Sequence, residues 1–180
     1  MASQSPFKMP QDVVDTLNCN KVLLAVGRLG EEKQFDRLIS AFSMLARQHP
    51  DRGLIILGRG MLMDALRGQV SDLKLEDKIA LPGAVGNVGD WFNSADIYVL
   101  TSRFEGFPNT LVEALAHGVP SVAFDCRTGP REILRDNIDG LLVPQDNQEE
   151  LIVALDRLMG DPTMRRRFAV RAVEVRGRYS

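Results

Sequence analysis

Short apolar runs alternate with stretches of helical periodicity along almost all of this 180-residue chain, and no other feature limits its fold so tightly. Lys21 to Val26 is a mostly apolar run closed by Gly27, as expected of a strand buried on both faces. Phe35, Leu38, Ile39, Phe42 and Leu45 then recur at helical spacing, and His49-Pro50 stops that helix. Leu54 to Leu57 is a second strand, ended by Gly58-Arg59-Gly60, with a helix from Met61 to Leu73 behind it. Ile79 to Leu81 is a third strand, ended by Pro82-Gly83. A short helix over Val88 to Ser94 leads to a strand at Ile97 to Leu100. Thr110 to His117 reads as a helix with Asn109 as N-cap and Gly118 at its C-terminal cap. Strands at Ser121 to Phe124 and Gly140 to Val143 flank a short helix over Arg131 to Arg135. Helices over Gln148 to Met159 and Pro162 to Arg178 close the chain. Alternation this regular predicts an α/β domain, a doubly wound parallel sheet with helices on both faces and ligands at the carboxyl ends of the strands.

The length suits one domain over residues 21–180, preceded by a loose lead-in over residues 1–20 that opens with polar Met1 to Ser5 and contains Pro6 and Pro10. A formal net charge of −2 gives no basic field, so nucleic acid is not an expected partner. Arg165-Arg166-Arg167 is the one basic cluster and reads as a solvated helix face. Cys19 and Cys126 lack CxxC spacing and His49 and His117 make no HExxH pattern, which excludes a disulfide framework or zinc site by motif and suits a reducing cytosol. No DxD-like acid pair follows a strand, so no metal is expected. The apolar runs fall far short of the ~20 residues that span a bilayer. A cytoplasmic location is expected, with contact to the inner face of a membrane left open.

In such a sheet the chemistry belongs after the strand ends. Gly27-Arg28-Leu29-Gly30-Glu31-Glu32-Lys33 follows the first strand and places two cations at a strand-to-helix junction. A helix N-terminus already attracts anions, and a guanidinium with an ammonium beside it makes a diphosphate site. The same spacing also fits a solvated loop whose cations pair with Glu31 and Glu32. Neither a Walker GxxxxGK[ST] nor a GxGxxG is present there. The second segment runs from Ser102 to Ala116, with Glu105 and Glu113 bracketing a loop and a first helical turn. Gly106 permits close backbone approach, and Thr110 and Leu111 would aim free N–H groups above the loop. Glu113 is placed to accept both hydroxyls of a ribose, and Glu105 to face what lies beyond a diphosphate. Spacing alone equally allows an exposed loop acid and a solvent-facing helix residue. His117 reads as a helix-terminal residue near the dipole, Glu132 as a first-turn acid with or without a site role, and Trp91 and Phe92 as core.

Glu105 and Glu113 form the E-x7-E pattern of retaining glycosyltransferases with the GT-B fold, and their setting resembles glycosyltransferase family 4. The likeness covers roughly Lys21 to Pro162. Gly27-Arg28-Leu29-x3-Lys33 is similar to that family's diphosphate motif, Leu57-Gly58-Arg59-Gly60 to its second glycine turn, and Leu81-Pro82-Gly83 to the loop whose backbone meets the base. Glu113 to Pro120 and Gly129-Pro130-Arg131-Glu132-Ile133 resemble its later signatures. The resemblance implies a Rossmann-like half of a GT-B enzyme that binds a nucleotide-sugar donor and needs no cofactor. Arg28 and Lys33 would hold the diphosphate and stabilise the leaving group, with Gly27, Gly58, Gly60 and Gly83 shaping the loops. Glu113 would hold the ribose and Glu105 the transferred sugar. Gly106, Phe107, Asn109, Thr110 and Leu111 would supply loop and helix-end N–H groups. Arg28, Lys33 and Glu105 are the residues expected to act on catalysis. Gln34 stands where the family often has glycine, and Phe107-Pro108-Asn109 is a variant similar to that of cell-surface polysaccharide enzymes, which points to a UDP-hexose or UDP-N-acetylhexosamine.

The resemblance further implies a fragment: a donor-binding domain whose acceptor-binding N-terminal partner domain is absent, inactive alone, and serving a glycan or lipid-linked acceptor in the whole enzyme. Two other classes fit the alternation, a different doubly wound enzyme such as an NAD-dependent one, and a non-catalytic domain that kept the fold. The missing GxGxxG counts against the first, and the intact set of Arg28, Lys33, Glu105 and Glu113 against the second.

Overall fold

A computed structural model describes residues 8–179. Six strands form one sheet in the order β3-β2-β1-β4-β5-β6, where β1 is Lys21–Val26, β2 Arg52–Leu57, β3 Ile79–Gly83, β4 Ile97–Leu100, β5 Ser121–Asp125 and β6 Gly140–Pro144. Every neighbouring pair is parallel. The chain starts in the middle of the sheet, builds outwards to β3, then returns to lay β4 on the other side of β1. Successive strand-to-helix connections therefore diverge at β1 and β4, and a crevice opens at their carboxyl ends.

Alternate residues of each inner strand supply two separate cores. Leu23, Ala25, Leu54, Ile56, Ile97 and Val99 face one layer, while Val22, Leu24, Ile55, Leu57, Tyr98 and Leu100 face the other. This two-sided burial explains why the strands read as continuous apolar runs. Complete burial of a Leu or Ile is worth about 1.5–3 kcal/mol. The first layer is covered by α2 (Phe35–Leu45), α3 (Met63–Asp72) and α7 (Gln148–Gly160). The second is covered by α4 (Val88–Asn93), α5 (Asn109–Ala116), α6 (Pro130–Ile133) and the end of α8 (Pro162–Ala172). Asn147 caps α7 by accepting Glu150 N–H at 3.0 Å, and Asp161 caps α8 by accepting Met164 N–H at 2.9 Å. Each such cap contributes ~1 kcal/mol. Trp91 and Phe92 are buried core, as their spacing predicts.

Four local expectations need correction. The lead-in, where described, is not loose: Pro10–Thr16 forms α1, Leu17 is buried in the second core, and Lys8 donates from its ammonium to Pro82 O. Its Met1 to Ser5 and Pro6 lie outside the described residues. The final helix is broken, with α8 ending at Ala172 and α9 running Val175–Arg178. Val173 and Glu174 tighten to ψ −15° and −19° between them. Asn109 is not the N-cap of α5; Pro108 is, and Asn109 is the first helical residue. Finally, β2 begins at Arg52, whose buried guanidinium donates to Met159 O at 2.8 Å at the far end of the sheet from the crevice.

Candidate functional site

The crevice between β1 and β4 brings together two residues singled out from separate segments. Lys33 ends a 3-10 turn (Glu31–Lys33) after β1, and Glu105 lies on the loop after β4. Lys33 Nζ donates to Glu105 Oε1 at 2.6 Å, with side chains 18% and 12% exposed. Ser102 Oγ donates to that same oxygen at 2.7 Å. The two loops are also tied through their backbones. Arg103 N–H donates to Glu32 O at 2.9 Å, and Thr101 Oγ1 donates to Lys33 O at 2.7 Å.

Gln34 holds this junction. It sits in the left-handed region at φ 52°, a conformation that costs roughly 1–2 kcal/mol for a residue with a Cβ. Its amide compensates by donating to Thr101 O at 3.1 Å and to Asp146 Oδ1 at 3.0 Å. The glycine expected at this turn is thus replaced by a tethered side chain.

The reading of the first loop divides. Arg28 is 74% exposed and pairs with Glu32 at 2.7 Å, as the solvated-loop alternative requires, and that bond holds the Glu32 carboxyl below its ordinary pKa. Lys33 instead turns inwards, away from Glu31 and Glu32, to Glu105. Arg28 stands between two hollows. One, of ≈ 290 Å³, is lined by Gly27, Gly58, Arg59, Ala84 and Val88 at the ends of β1 to β3. The other, of ≈ 420 Å³, is lined by Leu29, Gly30, Gly60 and Met61.

The glycines of the second turn serve packing between loops. Gly58 has φ +143°, and a Cβ there would lie 1.8 Å from Gly27 O. A Cβ on Gly60 would lie 2.6 Å from Leu29 O. Gly27 N–H donates to Leu57 O at 3.0 Å and Leu29 N–H to Arg59 O at 2.9 Å, so the turns after β1 and β2 form one platform. Gly83 has φ +95° and accepts from Gly58 N–H at 3.0 Å, with open space where its Cβ would be.

At the start of α5 the expected array of free N–H groups is only partly there. Asn109 N–H donates to Phe107 O at 2.9 Å, and buried Leu111 donates to Pro108 O at 3.1 Å, because the helix opens with a tight turn. The N–H groups of Gly106, Phe107 and Thr110 have no backbone partner among the described residues. Tyr98 O–H donates to Thr110 Oγ1 at 2.6 Å and fixes that turn, while burial raises the Tyr98 pKa. Glu113 is exposed one turn along α5, and its carboxylate makes no ion pair among the described residues. No hydrogen bond or ion pair joins it to Lys33 or Glu105 among the described residues. Phe107 is half exposed and packs edge-on against Tyr179 at 5.5 Å.

A third loop braces the second. Thr128 Oγ1 donates to Glu105 O at 2.7 Å, and Gly129, at φ +98°, would place a Cβ 2.8 Å from Gly106 O. Glu132 is exposed in the first turn of α6 and makes no side-chain contact with this cluster among the described residues. His117 is the C-terminal cap residue of α5, stacked on Phe92 at 5.6 Å with Nδ1 3.0 Å from Asn93 Oδ1. Thr101, Asp146 and Thr128 escaped the motif reading, and Ser102 and Gln34 entered it only as the first residue of the second segment and as a departure from glycine. Thr101 and Ser102 carried a positional signal, since they directly follow β4.

Residues 15–175 match the model of a family described as glycosyl transferases group 1. The Campylobacter jejuni N-acetylgalactosamine-N,N'-diacetylbacillosaminyl-diphospho-undecaprenol 4-alpha-N-acetylgalactosaminyltransferase is 35% identical over 153 residues, which are 85% of this chain and 41% of that protein. An uncharacterized glycosyltransferase of Haemophilus influenzae is also 35% identical, and the chain again spans 41% of its length. Among solved structures, the C-terminal domain of a glycosyl transferase group 1 family protein from Francisella tularensis superposes with a TM-score of 0.83 at 22% identity, covering 97% of this chain and 94% of that one. The Anabaena protein HepE in complex with UDP gives 0.82 at 22% identity, covering 95% and 49%.

Proposed function

The chain belongs to the group 1 glycosyl transferases, and on that footing we propose that it is the donor-binding domain of a retaining, family 4-like enzyme using a UDP-sugar. One observation carries the reading: Lys33 of the loop after β1 meets Glu105 of the E-x7-E segment at the point where the strand order reverses. That is where a doubly wound sheet binds nucleotides. Arg28 and Lys33 place positive charge where a diphosphate leaves. Charge fixed in advance at a departing group lowers the barrier by several kcal/mol, roughly 3–4 for a single donor. Glu113 holds the ribose diol, and Glu105 bonds hydroxyls of the transferred hexose or N-acetylhexosamine. The paired glycine turns of β1 and β2, with the Gly83 loop beside them, receive the base and ribose. No metal is assigned, because the cationic side chains supply the neutralising charge.

The acceptor is a glycan or a lipid-linked sugar, taken up by a second domain facing this one. Support comes from the chain's 41% share of the Campylobacter relative, whose name specifies an undecaprenol-linked acceptor, and its 94% cover of a C-terminal domain structure. Calorimetry with UDP, UDP-glucose and UDP-N-acetylglucosamine, with and without EDTA, tests the reading. Micromolar UDP binding that survives EDTA is expected. NAD binding in preference to every nucleoside diphosphate overturns it.

A further inference from the structure

We infer that Ser102 is a positioning residue for Glu105, which commits one carboxylate oxygen to the protein and leaves the other for the donor sugar. This rests on the donor-site reading above. Ser102 is 1% exposed at the end of β4, and its hydroxyl donates to Glu105 Oε1 at 2.7 Å. Lys33 Nζ donates to the same oxygen at 2.6 Å. A carboxylate oxygen accepts about two hydrogen bonds, so Oε1 is filled. No donor among the described residues reaches Oε2, and that oxygen is not sealed from solvent.

The asymmetry has a mechanical consequence. The last torsion of a glutamate is broad and roughly twofold, so an untethered carboxylate presents either oxygen at many angles. Two donors on one oxygen remove that freedom. The two are not equivalent, however. Lys33 carries a long flexible stem, and on the donor-site reading its charge is shared with the diphosphate once the donor binds. Ser102 is short, buried and anchored at a strand end, so it holds Oε1 whether or not a donor is present. The backbone of Glu105 is held independently by Thr128 Oγ1 at 2.7 Å, which leaves Ser102 to govern the carboxylate alone. Loss of the Ser102 hydroxyl therefore acts on the sugar and not on the nucleotide.

The test titrates wild type, Ser102→Ala and Ser102→Thr with UDP, UDP-glucose and UDP-N-acetylglucosamine, with thermal unfolding as the folding control. Ser102→Ala is expected to keep its UDP affinity within about twofold and to lose roughly tenfold for the UDP-sugar that wild type binds better. Ser102→Thr, which retains the hydroxyl, keeps most of that affinity. Should Ser102→Ala not fold, Ser102→Cys keeps the side-chain shape with a somewhat larger, weakly donating sulfur and answers the same question. Affinities for UDP and UDP-sugar that move together, or that do not move, overturn the inference while leaving the donor-site reading standing. A wild-type protein that binds none of the three ligands overturns both.

Discussion

The ammonium of Lys33 lies 2.6 Å from Oε1 of Glu105, joining the loop after β1 to the loop after β4 across 72 residues of sequence. Both side chains are mostly buried, so salt screens the pair less than it screens Arg28 and Glu32 on the rim. The protein's own side chains therefore join the two loops of the crevice, with one cation held inwards and one held in solvent.

That division separates the two cations experimentally. Lys33→Gln should lower UDP affinity roughly 10- to 100-fold, because it removes a charge-assisted bond and leaves the Glu105 carboxylate without its cation. Arg28→Gln should also weaken UDP binding yet leave the melting temperature unchanged, since exposed pairs contribute ~0–1 kcal/mol. Calorimetry and thermal unfolding on the two variants check this. A larger loss of stability in Arg28→Gln than in Lys33→Gln would reverse the assignment.

Two glycines of the site should respond in opposite ways. Gly58→Ala places a Cβ 1.8 Å from Gly27 O at φ +143°, and should lose about 3 kcal/mol or more of stability. Gly106→Ala meets nothing within 4 Å and has no positive φ, so stability should stay within about 0.5 kcal/mol. If the loop approaches the donor closely, Gly106→Ala weakens nucleotide binding all the same. Urea unfolding and UDP titration read the two effects separately.

The strands and the main helices were legible because burial on both faces forces continuous apolar runs at Lys21–Val26 and Ile97–Leu100. What escaped depended on tertiary partners. Pro10–Thr16 is too short to show a period, and it helps cover the second core through Val13 and Val14. Nothing in the chain marks the break after Ala172, where no glycine or proline stands. It coincides with Glu174 pairing with Arg135 at 2.9 Å and Arg178 donating to Ile133 O at 3.0 Å. At the site, the cations and glutamates were visible as motif residues, but the choice of Lys33 over Arg28 as the partner of Glu105 was not. The turn after Lys33 runs through left-handed Gln34, which the family's glycine at that position hints at, but its tether to Thr101 and Asp146 depends on tertiary partners.

Asp139 is fully buried beside the same C-terminal contacts. It accepts Arg135 N–H at 2.8 Å and Arg135 Nε at 2.9 Å, and lies 3.8 Å from Arg178. Arg135 keeps its pair with Glu174 and is 28% exposed, so what Asp139→Ala removes is the buried acceptor of the Arg135 N–H and guanidinium, and it should cost about 1–3 kcal/mol. Chemical denaturation measures it. A loss below about 1 kcal/mol would show that water reaches the arginines freely.

Burial raises the thiol pKa of Cys126, which is 0% exposed and donates weakly to Thr128 O at 3.6 Å. A group with a raised folded-state pKa lends stability below its unfolded value and loses it as the pH climbs through the folded one. Stability should therefore decline on the alkaline side of the ordinary thiol value of 9.0. Iodoacetamide should modify the less buried Cys19 first. Because Thr128 also braces Glu105, bound nucleotide should slow modification of Cys126 and leave Cys19 untouched. Mass spectrometry of timed samples resolves the two rates.

On the proposed donor-site reading, Glu113 serves the ribose and Glu105 the sugar. Glu113 stands exposed on α5, outside the Lys33–Glu105 contact, so a role at the ribose requires no rearrangement of the crevice. Glu113→Gln keeps the shape and loses the charge of an acceptor whose bonds are worth ~1.5–3 kcal/mol. Affinities for UDP and UDP-sugar should fall together, roughly 10- to 100-fold. With Oε2 assigned to the sugar on that reading, Glu105→Gln should leave UDP binding nearly unchanged and weaken only the sugar-bearing donor. A glutamine here keeps an acceptor oxygen for Ser102 and Lys33 but turns an amide towards the sugar, so hydroxyls that donated to Oε2 lose their acceptor. If a second, acceptor-binding domain completes the enzyme as proposed, this variant should also turn over more slowly there, because hydroxyl contacts at Glu105 would align the anomeric carbon. Two variants against two ligands suffice. Equal losses of plain UDP affinity in both would mean that Glu105 acts on the nucleotide, and the separation of sugar from ribose would fail.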